Sequence, residues 1–157
     1  MSPSKSPPSE ATQLPLAHGA LHNCFGCGLS NKTGLRLKFV VDEHEQVSCT
    51  ARIPRRFQGP PGHVHGGVIA TLLDEAMSKA NRQFGVVAMT RQMEIEYLKP
   101  VPLSIPIQII GRHLSAHGRK HRCEAEIKAG DGILLARGHA LFIAIDPSKL
   151  ASLGIQP

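Results

Sequence analysis

The chain has 157 residues, 41% of them hydrophobic, enough for one ordinary domain with a sizeable core. A net charge of +6 draws it toward polyanions such as nucleic acid, acidic membranes or phosphate-rich small ligands. With no Trp, one Tyr and five Phe it lacks the aromatic platform that single-stranded nucleic acid stacks on, and no run approaches the roughly 18 apolar residues of a membrane span.

Residues 1–17 are rich in Pro and Ser with little to bury, so a flexible tail is expected there and a single domain over residues 18–157. The start also lacks the apolar core of a secretory signal, and the expectation is a cytoplasmic protein with neither nucleic acid nor membrane as partner. In that reducing compartment Cys24, Cys27, Cys49 and Cys123 do not form a disulfide framework. From Leu35 to Val41 and again from Gln46 to Ile53 apolar and polar residues alternate, which predicts an antiparallel pair joined by the acidic turn DEHE. The segment PRRFQGPPGHVHGG is too rich in Pro and Gly for a strand and reads as a loop. Val68, Ile69, Leu72, Leu73, Ala76, Met77 and Ala80 then make one apolar stripe at helical spacing, ending near Gln83 to Gly85. Four further strands are predicted in VVAMTRQMEIEYL, SIPIQIIGRHL, HRCEAEIKA and ILLARGHALFIAI, with turns at KPVPL, AHGRK and Asp131-Gly132. This order predicts an α+β domain whose curved antiparallel sheet of about six strands wraps around one long central helix.

The helix opens on His65-Gly66-Gly67. A helix start presents amide groups without partners and positive partial charge, and glycine lets a ligand oxygen come close to them. Chemistry at a thioester carbonyl needs such donors for the developing oxyanion, together with a base or nucleophile. Asp74 fits the second role. It shares a stripe of small and polar residues with Gly67, Ala70, Thr71 and Ser78, whereas Glu75, with Lys79 four residues on and Arg82 seven on, reads as a solvated ion-pair face. Eight helical steps separate Gly66 from Asp74, about 12 Å, too far to serve one carbonyl carbon. A site built from both therefore requires a homodimer, with further assembly to a tetramer left open.

The segment VHGGVIATLLDEAM resembles the helix motif of hotdog-fold acyl-CoA thioesterases, particularly the phenylacetate-pathway (PaaI-like) and THEM-like subgroups. CFGCGLSNKTGLRLKF upstream, with AMTRQMEIEYLKPVPL and LFIAIDPSKL downstream, extends the likeness from about Cys24 to Pro147. The resemblance implies a hotdog fold, dimers or tetramers, and hydrolysis of acyl-CoA to acid and free CoA with no cofactor or metal. It places the polarising amide on Gly66 with His65 beside it, the catalytic carboxylate on Asp74, and an orienting hydroxyl on Thr90. Strand alternation puts Thr90 with Gln92, Glu94 and Glu96 on one face and Arg91, Met93, Ile95 and Tyr97 on the other. Many relatives carry an amide side chain six residues before the histidine, where this chain has Gly59; Gln58, one position off, is the candidate replacement, with Gly67 as a further substrate contact. The alternative function is a noncatalytic acyl-CoA-binding or sensing protein. A dehydratase or hydratase needs a different His and Asp pair, which is not seen.

Other chemistry-bearing residues are weaker signals. Cys24 and Cys27 form a CxxC with His18 and His22 upstream, but one pair without a second reads as a packed turn of buried thiols rather than zinc. A redox role lacks a thioredoxin-like context, and Cys49 and Cys123 read as core. Around one strand connection lie Arg112, His113, His117, Arg119, Lys120, His121 and Arg122; Arg119 and Lys120 are the candidates for CoA phosphates, as are Arg55 and Arg56 before the loop. His63 and His139 read as structural.

Overall fold

The structure, a computed structural model, describes residues 12–13 and 22–155. Apart from Thr12–Gln13, the expected tail lies outside the described residues, as does His18. Helix α1 spans Gly66–Arg82 and buries Ile69, Leu72, Leu73, Ala76, Met77 and Ala80, the stripe expected from its periodicity. It stops where Gly85 takes a left-handed φ of 73° and its amide returns to Arg82 O at 2.9 Å.

Among the described residues seven antiparallel strands form one sheet: β1 (Thr12–Gln13), β2 (Val40–Val41), β3 (Val47–Arg52), β4 (Ala88–Tyr97), β5 (Pro106–His117), β6 (Lys120–Ala129) and β7 (Leu134–Ala144). Their order is β1-β2-β3-β5-β6-β7-β4. The β5–β6 and β6–β7 hairpins turn at Gly118 and Gly132, both with positive φ. α1 lies on one face of β3 to β7, and its buried residues join Val47, Ile107, Ile109, Ile127 and Phe142 in the core. At Gly111 a Cβ would meet the backbone oxygen of Ala76, so glycine is what lets β5 and the helix touch.

Two expectations are corrected. The sheet does not wrap around the helix: it is open, with β1 and β4 at opposite edges that never pair. Wrapping demands a stagger and tilt carried through every strand, whereas the register shifts here are confined to Thr90/Gln92, His113/Ser115 and Ile127/Lys128. The face away from α1 is instead a solvent face of ion pairs, with Arg112 meeting Glu124 and Glu126, and Arg137 meeting Glu96. The first expected strand also shrinks to Val40–Val41. Arg36 adopts a φ of 54°, and the Leu35 and Leu37 amides bond to Phe25 O and Gly26 O at 2.8 and 3.0 Å, so this segment pairs with the cysteine loop instead of β3.

Candidate active site

The helix start is capped from within. His65 Nδ1 accepts the Gly67 amide at 2.9 Å, and His65 O accepts those of Val68 and Ile69 at 2.9 and 3.0 Å. Gly66 N–H donates to no group among the described residues. Tyr97, which the sequence reading placed on a strand face without a role, lays its ring against Gly66 and donates its hydroxyl to Gly66 O at 3.1 Å. Its signal was available: it is the sole tyrosine, at the end of the strand after the helix. Beside Gly66 opens a cavity of about 370 Å³ whose walls include His63, Ile69, Tyr97, Lys99 and Val101.

The loop feeding this start leaves no room for a side chain at Gly59. A Cβ at Gly59 would lie 2.8 Å from His65 Cα, a backbone atom that cannot give way. Gln58 is exposed, and its side-chain oxygen accepts the Gly62 amide at 3.1 Å, holding the turn. His63 is bonded likewise, Nδ1 to Pro61 O at 3.0 Å.

Further along α1, Thr90 Oγ1 donates to Asp74 Oδ1 at 2.6 Å. Burial pushes the Asp74 carboxyl above the ordinary aspartate range, the Thr90 bond pulls it back, and Cys24 adds a smaller upward push. Simple alternation had placed Thr90 with Gln92, Glu94 and Glu96, but Thr90 pairs with Phe142 and Gln92 with Leu141, leaving Arg91 as an extra residue. That bulge turns Thr90 onto the helix side with Met93, Ile95 and Tyr97.

Glu75 is not the solvated residue its spacing suggested. Cys24 Sγ donates to its Oε1 at 3.4 Å, and burial, followed by Cys24, pushes its carboxyl up to about 7. Lys79, its supposed exposed partner, is buried at 5% exposure. The spacing rule failed because residues 22–34 cover that side of the helix: Gly26 packs so closely on the Glu75 side chain that no Cβ fits. Cys49 and Cys123 are buried in β3 and β6.

Within the chain the structure joins Asp74 to Thr90 and Gly66 to His65 and Tyr97, but it does not join the two groups. Arg119 and Lys120 sit at the β5–β6 turn, and Arg119 Nε donates to Ala144 O at 2.9 Å. Lys120 pairs with Ile143, which pairs with Met89, so it stands two strands from the Thr90 end of β4, about 10 Å. Arg112 is committed to carboxylates, and His113 and His121 bond to each other at 3.0 Å.

An open sheet with one long helix whose first amide lies beside a cavity and whose carboxylate meets a strand hydroxyl is the architecture of a hotdog-fold thioesterase. The chain is a protein of that superfamily, related to the THEM-like acyl-CoA thioesterases. The thioesterase superfamily profile matches residues 61–136, from the loop before α1 into β7. The acyl-coenzyme A thioesterase THEM4 of Rattus norvegicus is 34% identical over 112 residues, 71% of this chain and 48% of that protein. The chain thus spans about half the length of that relative. A crystallised thioesterase superfamily protein is 33% identical, with a TM-score of 0.74 over 78% of this chain and 60% of the other. A Streptococcus mutans protein crystallised with acetyl CoA shares the fold at 23% identity and TM-score 0.64, over 69% of this chain and 88% of its own.

Proposed function

We propose that this protein hydrolyses acyl-CoA thioesters in sites shared between the two subunits of a homodimer. The observation that carries this reading is the 2.6 Å bond from Thr90 to Asp74, which aims a half-buried carboxylate from the same helix that opens on the Gly66 amide. Related folds have been crystallised with coenzyme A, from Streptococcus pneumoniae, and with acetyl CoA, and the S. pneumoniae protein also as Asp-to-Ala and Thr-to-Ala variants, the same two residue types.

In this scheme the Gly66 amide of one subunit binds the thioester oxygen, strengthened by the helix start that His65 caps. Asp74 of the partner subunit, held by its Thr90, takes a proton from water as it adds to the carbonyl carbon, or attacks that carbon directly to form an anhydride that water then opens. The C–S bond breaks, and the products are the free acid and the CoA thiol. Gly67 and Gln58 border the acyl group, while Arg119 and Lys120 meet CoA phosphates. β4 supports the dimer: it is ten residues long and lies at a sheet edge, a template for a second copy.

Thiol release across acyl-CoAs of graded length tests the reading. Asp74→Asn should lower the rate on the order of 10²- to 10⁴-fold. Full activity in that variant would overturn the assignment. One observation favours a noncatalytic acyl-CoA binder: Gly59 offers no side-chain donor and Gln58 is occupied within its own turn. That reading requires saturable acyl-CoA binding with no thiol released.

A further inference from the structure

Beneath the helix, away from the Gly66 cavity, lies a group of side chains that the proposed hydrolysis does not use. The sulfurs of Cys24 and Cys27 and a carboxylate oxygen of Glu75 all lie within 4.8 Å of one another, and Cys24 Sγ is 3.4 Å from Glu75 Oε1. Around a tetrahedral zinc, with sulfur at about 2.3 Å and oxygen at about 2.0 to 2.2 Å, a sulfur and an oxygen ligand stand about 3.5 Å apart. From this geometry we propose that Cys24, Cys27 and Glu75 bind a zinc ion that ties the 22–34 loop to the middle of α1.

The loop is shaped to present both sulfurs. Cys24 O accepts the Gly28 amide at 2.8 Å, closing the CxxC into one tight turn, and His22 O accepts the Ser30 amide at 3.1 Å. A Cβ at Gly28 would strike the Cys24 backbone, and one at Gly26 would strike Glu75, so both glycines are demanded by the approach of loop to helix. Charge is matched as well. Two thiolates, one carboxylate and a divalent cation leave one negative charge, and the buried Lys79, whose field reaches both Cys27 and Glu75, supplies one positive charge. Thiolates select zinc over the hard cations calcium and magnesium. Binding forms two metal–sulfur bonds and one metal–oxygen bond, breaks two S–H bonds and releases both thiol protons to solvent, with the Glu75 carboxyl proton where it is present, and water completes the fourth position. The zinc acts on the fold, so this inference stands or falls apart from the thioesterase reading.

Anaerobic titration of the reduced, chelator-treated full chain with Co²⁺ tests the site. The expected result is one equivalent bound, with the visible bands of a four-coordinate cobalt centre and near-ultraviolet thiolate charge transfer, both displaced by zinc. Zinc should also raise Tm, because it binds the folded chain. Cys24→Ser, at a half-exposed position where circular dichroism can verify folding, should lose most of the charge transfer. Glu75→Gln should keep it but bind cobalt at least about tenfold more weakly. Absence of charge transfer in the parent, or spectra and affinity unchanged in both variants, would overturn the site and leave three hydrogen-bonded side chains.

Discussion

Asp74 and Glu75 are consecutive carboxylates on one helix, yet their surroundings give them different chemistry. Asp74 meets a hydroxyl from β4, whereas Glu75 meets the thiols of the loop beneath. Replacing Thr90 by Val removes one hydrogen bond to a charged group, so thiol release should fall about tenfold while Asp74→Asn costs far more. Gly66 allows a cleaner test of the amide. It is the first helical residue, and His65 before it has φ −61° and ψ 139°, the extended backbone that precedes proline. A Cβ at Gly66 meets only Tyr97, at 3.7 Å, so Gly66→Pro removes the N–H with little strain. Its kcat should drop on the order of a hundredfold with Tm nearly unchanged; an active Gly66→Pro enzyme would remove the amide from the mechanism.

Between elements, β5 crosses α1 at Gly111 with no room for a side chain. Gly111→Ala forces a methyl against the Ala76 carbonyl, and the strand must shift away, so unfolding free energy should fall by about 1 to 3 kcal/mol, read from denaturant melts. The β5–β6 hairpin carries a pH response. His113 sits against His121 and Phe84, and burial, then the His121 charge, holds its imidazole below the ordinary value of 6.5. Above that value both folded and unfolded forms are neutral and the hairpin contributes fully. As pH falls below it the unfolded chain takes up the proton first, so stability is lost toward the lower folded value. Tm measured between pH 7 and pH 5 should fall less in His113→Leu than in the parent.

For the molecule as an assembly, the separation of Gly66 from Asp74 along α1 is the governing dimension, about 12 Å. In the proposed two-fold dimer each site takes one half from each subunit. A mixed dimer of Gly66→Pro and Asp74→Asn chains therefore holds one doubly damaged site and one intact site, and should recover about half of the parent activity. Sites contained within single chains would leave the mixture as inactive as either variant, which makes co-purified, differently tagged subunits the decisive preparation.

Most of this architecture was legible in the residues. The stripe from Val68 to Ala80, the glycine turns at Gly118 and Gly132 and the Gly66 start of α1 depend on near neighbours in the chain, and local rules of period, turn chemistry and capping suffice for them. The same rules misplaced Thr90, Glu75 and the strand before Val40, each for a reason that lies far away in sequence. Thr90 faces the helix because β4 accommodates an extra residue against β7. Glu75 is covered because Gly26 lets a distant loop lie on it, and the Leu35 and Leu37 amides bond to that same loop. The curvature of the sheet was likewise beyond local reading, since whether its edges approach depends on stagger summed over all strands. Periodicity tells which side of an element is apolar; which polar side chain is buried, and against what, is decided only when elements distant in the chain meet.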